Sequence, residues 1–128
     1  MDEHIQELGP TEVFVFGSNT GGIHGRGAAR QAYRDFRAEW GVGEGLTGQC
    51  YALPTLQFGK HAKSFSLEKR GHTELETSVK LFLHVAAVHP ELTFLLTRVG
   101  CGLAGYAEDY MKSFFVKVPC NVLKPEGW

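Results

Sequence analysis

No stretch of this sequence is apolar over the ~20 residues that a membrane-spanning helix needs. Residues 1–10 are polar and carry no apolar signal core. Basic residues form no run. Thirteen basic against fourteen acidic side chains leave a formal net charge of −1, so a general nucleic-acid footprint is not expected. Lys60, Lys63, Lys69 and Arg70 make only a local basic patch. Cysteine is scarce. Cys50, Cys101 and Cys120 are odd in number and widely spaced, which fits neither a disulfide framework nor a zinc pattern. No metal and no cofactor is expected. There is no internal repeat and no low-complexity segment. These absences lead to the expectation of a cytoplasmic protein that does not engage membranes.

Glycine, by contrast, is abundant: 16 of 128 residues, against roughly 7% in average usage. The hydrophobic fraction of 43% and charged fraction of 21% are ordinary, and the length suits one domain, 1–128, with its core at about 12–123. Glu12 to Phe16 is a run of β-formers that stops at Gly17-Ser18-Asn19-Thr20-Gly21-Gly22, as a buried strand would. A helix is predicted after Gly27, with Ala29, Ala32, Tyr33, Phe36 and Trp40 on one stripe, ended by Gly41, Gly43, Gly45 and Gly48. Residues 49–53 predict a second strand closed by Pro54. Residues 55–70 show no period and predict a long loop. A second helix is predicted over 73–88, with Thr73 as N-cap, Glu76 at the capping-box position and Leu75, Val79, Phe82 and Ala86 inward. Residues 92–98 predict a third strand. A third helix begins near Glu108 and Asp109, with Tyr110, Met111 and Phe114 facing inward, and residues 119–123 predict a last strand. Strands alternating with helices imply an α/β fold with a mostly parallel sheet covered on both faces.

The glycines cluster where two strands hand over to two helices. Gly17, Gly21, Gly22, Gly25 and Gly27 follow the first strand, and Gly100, Gly102 and Gly105 follow the third. Open α/β sheets bind ligands at the carboxyl ends of their strands. Bare backbone N–H groups and a helix amino end make an anion site there. Neither G-x-G-x-x-G nor the G-x-x-x-x-G-K-[ST] phosphate loop is present. Two such loops suggest one ligand with more than one phosphate, held from two sides. The alternative is that the glycines only make tight turns.

Phe16-Gly17-Ser18-Asn19, followed by a glycine-rich loop and an alanine-rich helix, resembles the first ligand loop of macro domains. Arg98-Val99-Gly100-Cys101-Gly102-Leu103-Ala104-Gly105-Tyr106 resembles the second, most of all in the branch that includes the terminal ADP-ribose glycohydrolases. The order F-G-S-N, H-G-x-G-A-A, Y-A-[IL]-P-T and G-C-G-L-A-G-Y is similar to a group of short macro-like proteins of phages and bacteria. The resemblance covers about residues 12–123. It implies a three-layer α/β/α macro-like sandwich that binds ADP-ribose or a related NAD-derived nucleotide. It also implies a cytoplasmic setting in a bacterium or phage-infected cell. Asn19 would meet the distal ribose, with Gly21, Gly22, Gly25 and Gly27 beside it and the adjacent phosphate, and Ser18 and His24 would also belong to the ligand-binding set. Gly100, Cys101, Gly102, Leu103, Ala104 and Gly105 would cradle the diphosphate, and Tyr106 would flank the sugar. The glycohydrolase branch carries an aspartate after G-C-G-L, where this chain has Ala104. The family's adenine-binding aspartate sits on an earlier strand, and Glu7 is the nearest acid by position.

Two residues are candidates for catalysis, by hydrolysis of a distal-ribose ADP-ribosyl or phosphate bond. His24 could donate to phosphate or act as a general acid or base, or simply bond loop backbone. Asp109 could activate water, or serve only the dipole of the third helix. Cys101 sits where a thiol pKa can fall, but no partner histidine is assignable and small-residue packing is the preferred reading. Lys60, Lys63 and Arg26 could reach phosphates, or lie on solvated surface. The alternatives to an enzyme are a non-catalytic protein that reads or sequesters a nucleotide immune signal, and a protein-interaction module with a vestigial cleft. A chain this short would also leave apolar surface for a second copy to cover as a homodimer.

Overall fold

A computed structural model describes residues 5–58 and 66–128. The elements are β1 (Glu12–Asn19), α1 (Gly27–Asp35), β2 (Gly45–Thr47), β3 (Cys50–Phe58), β4 (Leu67–Lys69), α2 (His72–Val88), β5 (Thr93–Leu96), α3 (Glu108–Lys112) and β6 (Val122–Leu123). A 3-10 turn, Ser113–Phe115, follows α3. The sheet order is β2-β3-β1-β5-β6, with β4 also paired to β3. β1 runs parallel to β3 and β5, and β5 parallel to β6, while β2 and β4 lie antiparallel to β3. This is an α/β fold with a mostly parallel central sheet and three helices. No helix among the described residues is long and apolar enough to cross a membrane.

Alternation along the strands sorts the core into two clusters, because successive strand side chains point to opposite faces. Val13, Val15, Tyr51, Leu53, Phe94 and Leu96 pack with α2 residues Leu75, Val79 and Phe82 and with Met111 and Phe115. Phe14, Phe16, Cys50, Ala52 and Leu95 pack with Ala29, Ala32 and Phe36. The inward stripe predicted for the second helix is therefore found as expected.

Several boundaries differ from the sequence prediction, and first among them β1 runs on past Phe16 to Asn19, which places Ser18 and Asn19 on the strand. Helix α1 stops at Asp35, so Trp40 is not on it: Arg37 takes a left-handed φ of 65°, and the Ala38 N–H turns back to the Ala32 carbonyl at 3.0 Å. Tyr33 and Trp40, expected in the core, are 48% and 54% exposed. Residues 45–47, within the stretch taken as a helix stop, pair with β3 through the tight turn at Gly48–Gln49, with Gly48 at φ 55°. Strand β3 does not close at Pro54. It passes through it because the register shifts between Ser18 and Asn19, leaving Thr55 as an extra residue, and a bulge is where a strand tolerates proline. Part of the loop predicted over 55–70 is thus the β3–β4 hairpin. Finally, α2 begins at His72 with Gly71 as its N-cap. Thr73 is inside the first turn, and Glu76 pairs with Lys80 and His72 rather than closing a capping box.

Candidate functional site

β1 and β5 are neighbours, and their loops leave toward opposite faces. The loop after β1 feeds α1 on the Phe14 side, and the loop after β5 feeds α3 on the Val15 side. Such a reversal opens a crevice beyond the strands' carboxyl ends. A cavity of about 1100 Å³ lies there. Ser18, Asn19, Gly25, Gly27, Gly100, Cys101, Gly102, Leu103 and Ala104 of the predicted site all line it. Gly21, Gly22, His24, Gly105, Tyr106 and Asp109 do not.

Five of these six exclusions have a physical cause. A Cβ on Gly21 would run into the Phe58 ring, and one on Gly22 into the Gly41 backbone. These two glycines permit close packing instead of offering N–H groups to a ligand. Gly41 and Gly43, read only as a helix stop, are the other half of that packing: a Cβ on Gly43 would strike the Asn19 carbonyl oxygen. The His24 ring is 1% exposed. It packs edge-on against Phe16 at 5.4 Å and Trp40 at 6.0 Å, and its Nε2 meets the Glu39 carbonyl at 2.9 Å. Its Nδ1 is buried without a partner among the described residues. His24 therefore fastens the 36–43 segment and is turned away from the cavity. Asp109 is exposed and pairs with Lys112 at 3.6 Å, which matches the dipole alternative. The Tyr106 hydroxyl donates to the Thr55 carbonyl at 2.8 Å and accepts from the Arg70 N–H at 2.9 Å. Its ring stacks on Tyr110 and lies under Lys69. Tyr106 braces the second loop against β3, using the carbonyl of the bulged residue Thr55.

Within the cavity the polar side chains of the first wall are already engaged. The Asn19 carboxamide donates to the Ile23 carbonyl at 2.8 Å and accepts from the Ile23 N–H at 3.1 Å. The Ser18 hydroxyl donates to the Gly43 carbonyl. What this wall offers is backbone. The first-turn N–H groups of Gly27, Ala28 and Ala29 have no intrahelical acceptor, the N-cap Arg26 gives no side-chain cap, and the first turn has no acid. Opposite stands Gly102, with nothing within 4 Å of the place a Cβ would take. Gly100 and Gly105 adopt left-handed φ of 78° and 74°, which lets the loop fold back so that the Tyr106 N–H reaches the Gly100 carbonyl at 2.8 Å.

The electrostatics are mixed. Arg26, Lys69 and Arg98 line the cavity with Glu68 and Glu108. Arg98 is ion-paired with Glu108 and donates to the Glu126 carbonyl at 2.6 Å. Trp128 and Arg98 hydrogen-bond Glu108 and hold its carboxyl below the usual range. Burial, with Glu108 nearby, pushes the Cys101 thiol up, so it stays protonated and is a poor nucleophile. Lys60 and Lys63 lie outside the described residues. No group of three or more metal-ligating side chains gathers among the described residues. Thr55, Leu56, Leu67, Glu68 and Lys69 form a third wall from the β3–β4 hairpin, which sequence reasoning missed. Thr55, Leu56 and Phe58 gave a weak β signal, but Leu67-Glu68-Lys69 carries none, because glutamate and lysine are poor strand formers.

Comparison with known protein families, with curated proteins and with solved structures returns no match.

Proposed function

We propose that this chain binds ADP-ribose or a related NAD-derived nucleotide in the crevice beyond β1 and β5, as a macro-like three-layer α/β/α sandwich. The observation that carries the reading is the pairing of two bare backbone surfaces across one cavity. The uncapped amino end of α1 stands on one side and the open Gly102 on the other. A diphosphate bridging them would accept N–H donors from a helix amino end and a glycine loop, the usual way backbone holds phosphate. A cavity of about 1100 Å³ has room for two nucleoside-like halves.

Binding without turnover is favoured over hydrolysis. His24 is buried behind the first loop and Asp109 points to solvent, so neither candidate acid or base lines the cavity. Ala104 stands where the glycohydrolase resemblance needs an aspartate. The function that follows is a reader or sequestering protein for a nucleotide signal.

Isothermal titration with ADP-ribose tests this. Saturable heat is expected, together with a rise in melting temperature that follows ligand concentration. Gly102→Glu should abolish the heat while leaving circular dichroism and melting unchanged. No heat with ADP-ribose, NAD or its cyclic relatives would overturn the reading. Release of a distal-ribose substituent from an ADP-ribosyl ester or phosphate would replace it with the hydrolytic one.

A further inference from the structure

Four of the chain's six arginines, Arg26, Arg30, Arg34 and Arg37, fall in the segment 26–37. They are too widely spaced to make a basic run in sequence. A step of four residues on a helix advances about 40°, so Arg30 and Arg34 share one face of α1 with Tyr33, and Arg26 stands at the N-cap beside that face. All four arginines are exposed. Among the described residues neither Arg26 nor Arg30 has an acidic partner, while Arg34 is tied to Asp35 at 2.9 Å. Tyr33 and Trp40 complete the surface. Their rings meet edge-to-face at 5.3 Å, and both pack on the buried His24. That fixes the rings and leaves about half of each to solvent.

The placement of charge on α1 runs against the helix's own stability. A helix amino end favours acids and disfavours cations. α3 carries Glu108 and Asp109 in its first turn and α2 carries Glu74, but α1 has no acid there and has Arg26 and Arg30 instead. Its acid, Asp35, is at the carboxyl end. Charge set this way serves an external anion better than the helix. Fixed, half-exposed aromatic rings among arginines match one polyanion in particular, because unpaired bases stack on aromatic rings while arginines meet the phosphates.

We infer that the exposed face of α1, with Trp40, docks single-stranded nucleic acid, through arginine–phosphate contacts and stacking on Tyr33 and Trp40. This surface meets the cavity only at Arg26, since Arg30, Tyr33 and Trp40 do not line it. Duplexes should bind more weakly, because their bases are already stacked on one another.

Fluorescence anisotropy with labelled oligothymidylate and oligouridylate strands tests the inference. Binding with Kd tighter than about 10⁻⁴ M is expected, weakening with salt at a log–log slope of about −2 for three phosphates. Trp40→Ala should weaken binding about tenfold, within the range set by loss of one stacked base. Arg30→Glu should weaken it at least as much, while its melting temperature stays level or rises because the new acid suits the helix amino end. A purely structural role for Arg30 would show the reverse. ADP-ribose titration of both variants should match the unmodified chain. No binding of either strand, equal binding of duplex, binding unaffected by both substitutions, or equal capture of anionic vesicles or acidic peptides would each overturn the proposal.

Discussion

The two glycine-rich loops are alike in composition and opposite in construction. In the first, most groups are engaged inside the protein, and Gly25 alone of its inner glycines faces open space. The Asn19 carboxamide closes the turn to Ile23, Gly21 and Gly22 give passage to Phe58 and to the Gly41 backbone, and His24 is sealed beneath Trp40. In the second, Leu103 is 70% exposed, Gly102 faces open space, and Tyr106 is the brace at its far end. A glycine can thus be required by what touches it or by what leaves it bare. Only the second kind is available to a ligand. The first loop is a mostly fixed wall that contributes Gly25 and the helix amino end it delivers, and the second is the more open wall, presenting free backbone at Gly102.

The largest effect that would break this contrast is at Gly22. Gly22→Val puts a β-branched side chain at φ 68° and drives it into the Gly41 and Val42 backbone. Left-handed strain and overpacking together cost more than about 4 kcal/mol, a large share of a typical domain's stability. Chemical denaturation should show a chain that is mostly unfolded, or folded with far lower midpoint. A near-normal midpoint would mean that the first loop is not fixed. Next in size is His24→Ala. Removing a ring packed on Phe16, Tyr33 and Trp40 should cost about 2–3 kcal/mol, part of the cavity cost being offset by loss of the unpartnered Nδ1. Whatever folds should still bind ADP-ribose. Loss of ligand binding at full stability would instead place His24 at the ligand.

The contrast extends to thiols. Cys50 lies on β3 beneath α1, where burial pushes its thiol up to about 12. The unfolded chain ionises this group near its ordinary value of 9.0. Above that pH the unfolded state holds fewer protons than the native one, so stability falls as pH rises, by about 1.4 kcal/mol per unit from this group. The neighbouring Tyr51 hydroxyl, also raised by burial, adds to the loss from its own ordinary pKa upward. Denaturation midpoints across pH 8 to 11 should therefore decline, and Cys50→Ala should flatten the first part of the decline. An unchanged slope in that variant would remove Cys50 as the cause.

Much of this was legible in sequence where one local cause decides. β1, α2 and β5 announce themselves by apolar pattern, and glycines that follow a strand, such as Gly100 and Gly102, do line the cavity. The errors arose where distant partners decide. Nothing local marks Gly21 as the neighbour of Phe58, or Gly43 as the neighbour of Asn19, so five glycines in one loop read alike although only Gly17, Gly25 and Gly27 border the cavity. The Tyr33 and Trp40 spacing continued a helical stripe, but the left-handed Arg37 ended the helix first and left both rings outside. Proline removes a ladder donor and so suggests a strand stop at Pro54, a rule that the register shift opposite Ser18 suspends.

The smallest expected effect is the sharpest test of the second loop. Gly100 and Gly102 are two residues apart, and composition cannot separate them. Gly100 has φ 78°, and a Cβ there would sit 3.0 Å from the Tyr106 ring and 3.2 Å from the Met111 sulfur. Gly102 has neither a left-handed φ nor a neighbour. Gly102→Ala should therefore change folding stability by no more than about 0.5 kcal/mol, whereas Gly100→Ala should lose at least about 1 kcal/mol from strain. If the cavity holds a diphosphate against this loop, the stability-neutral Gly102→Ala should still weaken ADP-ribose binding, because its methyl group occupies the space through which phosphate approaches backbone. Unchanged binding in that variant would show that the bare position is surface, and that the ligand rests on the helix amino end alone.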